Sequence, residues 1–357
     1  MKKRILFVAG RELSYSRTHI VYHALLDQGY EVVGCFPPDR SFKHYPRLIA
    51  RAIRLARECD LVLVGFYGQI ILPFIRLCTR KPMLFDMYIT TLDTMVYDRG
   101  KARPGSLMAR LYGLSDRLSY RLADLTVLET RAHIDWFCSI FGVTAERMQR
   151  IFLAVDESKI FPRAAQGKEE GRFLVHFHGE YAPFHGIQYI LRAAHLLRAE
   201  RDIVFQIVGK GITWAADQAL ARELGLENVR FYDTVPYAEL ANMMARADLC
   251  LGIFGDNDRV LRVTTNKVVE SIAMARPLIT ARNAPVQELL THGESAWLIE
   301  RANPRALADA ILQLKADTPL RERLAAGGHR VFQEHCTMPR LGSGFAAIIE
   351  EMTEHEG

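Results

Sequence analysis

Residues 172–211 read RFLVHFHGEYAPFHGIQYILRAAHLLRAERDIVFQIVGKG, and their pattern decides the fold. A short apolar strand ends at Gly179, a helical segment occupies residues 186–200, and a second apolar strand ends at Gly209. Strands that alternate with helices of this length indicate βαβ units, in which parallel strands are buried on both faces. The stretch therefore predicts a doubly wound α/β sheet.

The same alternation continues in both directions along the chain and is interrupted once. Upstream, the strand-like runs include RILFVAG, YEVVGCF, DLVLVGF and KPMLFDMY, and downstream they include VRFYD, DLCLGIF and PLITA. The interruption is polar and contains Pro162, Gly167 and Gly171, which is typical of a linker. We therefore predict two Rossmann-like, doubly wound parallel-sheet domains. The N-terminal domain covers residues 1–155, a linker covers 156–172, and the second domain covers 173–335. We expect a helical segment over 336–357 to pack back on the N-terminal domain.

The overall composition is that of a globular protein. A chain of 357 residues is too long for one ordinary core, and 49% hydrophobic with 24% charged residues excludes a disordered chain. The six cysteines form no CxxC pair, which indicates reduced thiols rather than a metal site. No stretch reaches the ~20 apolar residues of a spanning helix, so we predict no transmembrane segment. Reduced thiols favour a cytoplasmic protein, with a peripheral position on the inner face of the membrane as the alternative.

Positive charge is concentrated in the first half. Residues 1–155 contain 23 Lys and Arg against 14 Asp and Glu, whereas residues 156–357 contain 23 against 27. This excess of basic residues favours an anionic membrane or a phosphorylated substrate as the binding partner. Because no RNA-binding signature accompanies the charge, we expect no binding to nucleic acid. The candidate surface for peripheral membrane contact is the predicted helix that carries Arg47, Arg51, Arg54 and Arg57. The apolar face of this helix is equally typical of a helix that packs on the sheet.

Ligands of open α/β sheets bind beyond the carboxyl ends of the strands. This rule places one set of candidate loops in each half of the chain. In the second half these loops follow Gly179, Gly209, Asp233 and Phe254. In the first half they follow Gly10, Phe66 and Asp86.

The second half also resembles the donor-binding domain of the retaining glycosyltransferase family 4. The resemblance covers residues 173–335 and rests on VHFHGEYAPFHGIQYILRAAHLL, FQIVGKG, VRFYDTVPYAELANMMARADLCLGIF, TTNKVVESIAMARPLIT and PVQELLTHGESAWLIERANPRALADAI. The first half resembles the family mainly in strand rhythm and in DRLSYRLADLTVLET. The resemblance implies the GT-B fold, two such domains facing a cleft, and sugar transfer from a nucleotide-sugar to an acceptor hydroxyl with retention and without a metal.

The resemblance also implies roles for the motif around Glu270. In the family this carboxylate accepts hydrogen bonds from the donor ribose. The family's other glutamate is replaced by Arg262, and Glu180 and His185 stand where many members have an arginine and a lysine. We therefore predict that Lys267 and Arg262 take the catalytic task of neutralising the diphosphate, together with a turn that enters the helix: Thr264, Thr265 and Asn266.

The remaining candidates are assigned with an ordinary alternative beside each. In the second half, the residues expected at the donor are Gly179, His185, Lys210 and Val235, although a lone histidine is commonly structural and Lys210 alone is a weak signal. In the first half, Gly10 permits close backbone approach to the sugar. Arg17 is a candidate donor ligand or a solvated arginine, and Asp86 a catalytic orienter of the acceptor or a turn cap.

The predicted partners are a nucleotide-diphosphate-sugar donor and a small-molecule, glycan or lipid-linked acceptor. No Asp-x-Asp motif is present, so we predict no metal and no cofactor. Two alternatives stay open at this point. One is a nucleotide-sugar epimerase or phosphorylase on the same fold, and the other is a catalytically silent binding protein, which the replacements at Glu180 and Arg262 favour.

Overall fold

The computed structural model describes residues 3–354. It divides the chain into two compact units, of which the first ends at Ala154 and resumes at Met338, while the second is Val155–Thr337. The segment 156–172, predicted as a linker, has no regular secondary structure and lies within the second unit. Its Ile160 is fully buried.

The first unit is built on a six-stranded parallel sheet of order β2-β1-β3-β4-β5-β6. Its strands are β1 (Arg4–Val8), β2 (Glu31–Cys35), β3 (Leu61–Val64), β4 (Met83–Tyr88), β5 (Leu125–Leu128) and β6 (Met148–Arg150). Its helices are α1 (Ser16–Asp27), α2 (Tyr45–Ala56), α3 (Leu72–Cys78), α4 (Leu107–Leu122), α5 (Arg131–Phe141) and, from the end of the chain, α13 (Met338–Glu354).

Alternation along the strands places two cores on the two faces of this sheet. Leu6 and Val8 of β1 pack with residues of α2, α3 and α5 on one face. Ile5 and Phe7 point the opposite way, because successive strand residues alternate, and pack against α1 and α13. Burial on both faces is why these strands are continuous apolar runs.

The second unit repeats this architecture, with the order β12-β11-β10-β7-β8-β9. Its strands are β7 (Phe173–His178), β8 (Ile203–Val208), β9 (Val229–Tyr232), β10 (Leu249–Leu251), β11 (Leu278–Ala281) and β12 (Trp297–Ile299). Its helices are α6 (Ile187–Leu196), α7 (Trp214–Glu223), α8 (Tyr237–Arg246), α9 (Asn266–Ala273), α10 (Ala284–Gln287), α11 (Pro304–Ala316) and α12 (Thr318–His335).

Each sheet has one point at which the strand order reverses. In the first unit this point lies between β1 and β3, and in the second it lies between β7 and β10. The loops after these strands diverge to opposite faces, which leaves a crevice at the carboxyl edge. The residues that follow β1 and β7, namely Gly10 and Gly179, are therefore at the positions where a doubly wound sheet accepts a ligand.

No helix in the described part of the chain is long and apolar enough to cross a membrane.

Candidate functional site

The loop that follows β7 lets a lysine approach the backbone closely. Gly179 has φ +141°, and its amide donates to the carbonyl oxygen of Val208 at 3.0 Å. A Cβ added to Gly179 would lie 2.9 Å from both Cε and Nζ of Lys267. Glycine is required here for two reasons: the positive φ, and the space that the lysine side chain occupies.

Lys267 is a buried cation without an acidic partner. It lies in the first turn of α9 and is 4% exposed, and its Nζ is 5.0 Å from the ring centroid of Phe177. No ion pair joins it to a carboxylate among residues 3–354. Burial lowers the pKa of Lys267 to about 7, against the opposing charges of Glu270 and Glu180. An anion placed beside this ammonium would relieve its desolvation.

The start of α9 adds backbone donors to the same position. Thr265 is the N-cap in an extended conformation, and its side chain makes no capping hydrogen bond. Its Oγ1 is buried without a hydrogen-bond partner in the described residues. The uncapped first turn and the helix dipole both favour a bound anion. Thr264 is held nearby through Oγ1, which donates to the carbonyl oxygen of Pro285 at 3.5 Å.

Glu270 lies one turn further along α9, where it is also buried. Its Oε2 accepts a hydrogen bond from Nε2 of His178 at 2.7 Å, and its Oε1 accepts one from the Tyr237 hydroxyl. Burial acts to raise the pKa of Glu270, but these two hydrogen bonds and the charge of Lys267 lower it overall. The carboxylate is thus ionised and fixed in orientation.

A chain of buried hydrogen bonds supports His178 from behind. Nδ1 of His178 is 3.0 Å from Nε2 of His176, and Nδ1 of His176 is 2.7 Å from Nε2 of Gln206. If Gln206 donates, each imidazole accepts at Nδ1 and donates at Nε2, and the series ends at the Glu270 carboxylate. Burial lowers the pKa of His176 well below its ordinary value, so that ring stays neutral.

The predicted phosphate ligands His185 and Arg262 are also buried, and so is Arg259, three residues before Arg262. His185, Arg259 and Arg262 are each about 5–6% exposed. Nδ1 of His185 contacts the carbonyl oxygen of Glu180, and burial followed by the charge of Lys267 lowers the pKa of His185 well below its ordinary value. Neutral His185 uses its N–H on that carbonyl, so it can donate to a phosphate only after it gains a proton.

Two other predicted donor residues occupy more exposed positions. Lys210 donates to Oδ2 of Asp233 at 3.0 Å, and both side chains are more than half exposed. Val235 is half-buried in the loop before α8, two residues from Tyr237. An exposed ion pair of this kind is worth at most about 1 kcal/mol, so Lys210 exchanges Asp233 for another anion at little cost.

The predicted site residues of the first unit are packed differently. Arg17 and Asp86 form a buried bidentate pair, with Nη2 to Oδ1 at 2.8 Å and Nε to Oδ2 at 2.9 Å. Gly10 donates to the Phe66 carbonyl oxygen at 2.9 Å and accepts from the Tyr45 hydroxyl at 3.0 Å. Arg17 and Asp86 thus satisfy each other rather than standing ready for a ligand.

Sequence reasoning missed His176, His178 and Gln206, and it did not predict that Tyr237 contacts Glu270. The available signal was the pair of histidines at alternate positions of a buried strand, which puts two polar side chains on one face. Among residues 3–354, no cluster of three or more His, Cys, Asp or Glu side chains could hold a metal ion.

Comparison with known protein families matches part of the second unit. Residues 172–317 match the family described as "Glycosyl transferases group 1". The MMP alpha-(1->4)-mannosyltransferase of Mycolicibacterium hassiacum is 25% identical over 252 residues, which cover 69% of this chain and 59% of that protein. The D-inositol 3-phosphate glycosyltransferase of a Nocardioides species is 27% identical over 228 residues, covering 57% and 49%. The chain thus spans about half the length of these relatives.

Solved structures resemble the whole chain. Sucrose-phosphate synthase from Thermosynechococcus elongatus superposes with a TM-score of 0.82 at 14% identity, covering 99% of this chain and 100% of that one. HepE from Anabaena in complex with UDP-glucose superposes with a TM-score of 0.76 at 16% identity, covering 98% and 100%. The predicted fold class, two Rossmann-like domains of the GT-B type, is confirmed.

Proposed function

We propose that this chain is a glycosyltransferase that moves a sugar from a nucleoside diphosphate to an acceptor hydroxyl, with retention of configuration and without a metal ion. The observation that carries the proposal is the buried, unpaired ammonium of Lys267 at the start of α9. The match of residues 172–317 to the glycosyl transferases supports it, as does the complex of HepE with UDP-glucose.

In this proposal the donor diphosphate occupies the space beside Lys267. The ammonium and the free amides at the start of α9 neutralise part of its charge, and each charge-assisted hydrogen bond contributes ~1.5–3 kcal/mol. Arg262 adds positive charge from the preceding loop, and His185 gains a proton when the phosphates arrive. These four groups take the place of a divalent cation.

Glu270 receives the ribose of the donor. His178 and Tyr237 each use one lone pair on a different carboxylate oxygen. Each oxygen keeps a second lone pair, so the carboxylate can still accept from two adjacent ribose hydroxyls. The hydrogen bonds from within the protein fix its orientation before the donor arrives.

The chemistry then consists of stabilising a leaving group. The bond from the anomeric carbon to the diphosphate breaks, and the acceptor oxygen bonds to the same face of that carbon. The acceptor proton passes to the departing phosphate oxygen. Negative charge grows on the diphosphate during this step, so Lys267 and Arg262 interact more strongly with the transition state than with the bound donor.

The charge of the first half indicates the class of acceptor. The excess of basic residues in the first half fits a phosphorylated or lipid-linked acceptor better than a neutral one. Similar proteins named as D-inositol 3-phosphate and phosphatidyl-myo-inositol transferases support an alcohol that carries a phosphate.

A panel of UDP-, GDP- and ADP-sugars tests the proposal in two readouts. The matching donor should raise the melting temperature, since a hundredfold excess over Kd adds ~2.7 kcal/mol to the free energy of unfolding. Release of nucleoside diphosphate should then require an acceptor alcohol and should persist in a chelator. If no donor shifts the melting temperature, the proposal fails; if the donor is converted rapidly without an acceptor, the chain is an epimerase or phosphorylase.

A further inference from the structure

Helix α4 presents leucines to solvent. Leu107 is 75% exposed, Leu114 is 59% exposed, and Leu111 and Leu118 are 49% and 40% exposed. These four residues, the leucine stripe, are spaced i, i+4, i+7 and i+11 and therefore lie along one face of the helix. Apolar residues at this spacing ordinarily face a core.

The opposite face of α4 already packs on the unit. Ala109, Gly113, Asp116 and Tyr120 are buried there. Asp116 is held by the backbone amides of Thr91 at 3.0 Å and Leu92 at 2.8 Å. The orientation of the helix is thus fixed by its own contacts, and in the described part of the first unit the four residues of the leucine stripe stay at least two fifths exposed.

Positive charge lies along one side of the leucine stripe. Arg110 and Arg121 are exposed and Arg117 is partly exposed on α4, and these three are named the basic flank. Lys101 and Arg103 are exposed in the segment that leads into the helix. Between residues 99 and 122 the one acidic side chain is Asp116, which is fully buried, so the outer surface of this segment has no negative charge.

Further apolar side chains are exposed on helix α3, which contacts α4. Leu77 of the adjacent helix α3 is 84% exposed, and Phe74 is half exposed. A groove of about 380 Å³ opens beside α4 and is lined by Leu92, Tyr97, Arg110, Leu114, Arg117 and Phe141. The groove combines apolar walls with two residues of the basic flank, the pairing that an amphiphile with an anionic head requires.

We infer that α4 docks the first unit on an anionic lipid bilayer. The leucine stripe enters the boundary between headgroups and acyl chains, and the basic flank contacts the lipid phosphates. The bilayer is favoured over a second copy of the chain because two basic flanks brought face to face would repel each other. The inference goes beyond the proposed function and is independent of it, since docking needs neither donor nor turnover.

Helix α2, which also carries arginines, lacks the apolar half of such a surface. Arg47, Arg51 and Arg54 are exposed, but Leu48 and Ala52 are buried against the sheet. Its arginines can add attraction to an anionic surface, but its other large apolar side chains, Ile49, Ile53 and Leu55, are partly buried against the same core.

Co-sedimentation of the full chain with vesicles tests this inference. Binding is expected to phosphatidylglycerol-containing vesicles and not to pure phosphatidylcholine, and it should weaken in high salt. Each basic residue near an anionic surface strengthens binding about fivefold, so Arg110→Glu with Arg121→Glu should weaken it by about 25-fold or more. Leu111→Ser with Leu114→Ser should weaken it at least about tenfold, because two partly inserted leucines lose their apolar transfer.

Matched controls locate the effect on α4. Ile212→Ser removes a half-exposed apolar side chain of the second unit and should leave vesicle binding unchanged. Arg47→Glu with Arg54→Glu should weaken binding less than the α4 pair. Because all these side chains are partly or largely exposed, melting temperatures should stay close to wild type and show that each variant is folded.

Three results would overturn the inference. The first is equal binding to neutral and anionic vesicles. The second is unchanged binding when the leucine stripe is substituted. The third is absence of binding together with a wild-type dimer, seen by sedimentation velocity, that Leu111→Ser with Leu114→Ser dissociates, because a second copy would then cover the leucine stripe.

Discussion

Each unit buries a cation in the first turn of a helix at the carboxyl edge of its sheet. One of these cations is paired with a carboxylate and the other is not. Arg17 lies in the first turn of α1 and forms a bidentate ion pair with Asp86. Lys267 lies in the first turn of α9 and has no such carboxylate in the described chain. A cation at a helix N-terminus is disfavoured by the dipole, so both positions require an anion.

The difference shows in the protonation of the two groups. Although burial acts to lower it, the pKa of Arg17 is raised by the charge and hydrogen bonds of Asp86. Burial without a paired carboxylate lowers the pKa of Lys267 to about 7. The anion for Arg17 is part of the fold, and we propose that the anion for Lys267 is the donor diphosphate.

The largest expected effect is on the stability of the first unit. Arg17→Met leaves Asp86 as an uncompensated buried charge, which should lower the free energy of unfolding by about 3–5 kcal/mol. Lys267→Met removes an unpaired buried charge from the second unit and should leave the free energy of unfolding of that unit unchanged or raise it. Denaturant unfolding of both variants measures these free energies. An equal loss of stability in the two variants would contradict the conclusion that Arg17 is paired and Lys267 is not.

The next effect is on turnover. Lys267→Ala should weaken transition-state stabilisation by ~2–4 kcal/mol, because a charge aimed at the leaving diphosphate is lost. The readout is kcat/KM on the donor that gives the largest thermal shift. Lys168→Ala, which removes a partly exposed lysine paired with Asp248, is the matched control and should behave as wild type. Wild-type turnover in Lys267→Ala would refute the phosphate assignment.

A smaller effect is expected on donor affinity. Glu270→Ala removes the ribose acceptor and should raise the donor KM by about 10- to 150-fold, equivalent to hydrogen bonds to a charged group worth ~1.5–3 kcal/mol. Calorimetric titration with the donor gives the affinity directly. Unchanged affinity would show that Glu270 serves the fold and not the ribose.

The smallest effect concerns the residues behind Glu270. His176→Leu removes the hydrogen bond that orients His178. It should raise the donor KM about 2- to 13-fold, equivalent to roughly 0.5–1.5 kcal/mol, while kcat changes little. A conservative His176→Gln should recover part of the loss. A fall in kcat at unchanged KM would instead place His176 in the chemical step.

The sequence predicted the architecture because each layer leaves a local signal. Continuous apolar runs such as LVLV at Leu61–Val64 indicate strands that are buried on both faces. The helices between these runs are long enough to connect one parallel strand to the next. The loops after β1 and β7 could be identified before any strand order was known. Both prove to lie at a reversal of strand order.

Pairing between distant residues could not be predicted in the same way. Arg17 and Asp86 are 69 positions apart, and His178 and Glu270 are 92 apart, so only the tertiary fold reveals the contacts. The exposed face of α4 was missed for a related reason. Its leucine spacing is that of a core-facing helix, and only the packing of Ala109 and Gly113 shows which face turns inward.

Proton uptake on donor binding tests the central claim most directly. A nucleotide-sugar has no ionisation near pH 8, whereas Lys267, with a pKa of about 7, is mostly neutral there and should gain a proton when a diphosphate binds beside it. Calorimetry at about pH 8 in two buffers of different ionisation enthalpy should report that the wild type takes up close to one proton more than Lys267→Met, since the proton gained by His185 is common to both proteins. An equal uptake by the two proteins would contradict the account.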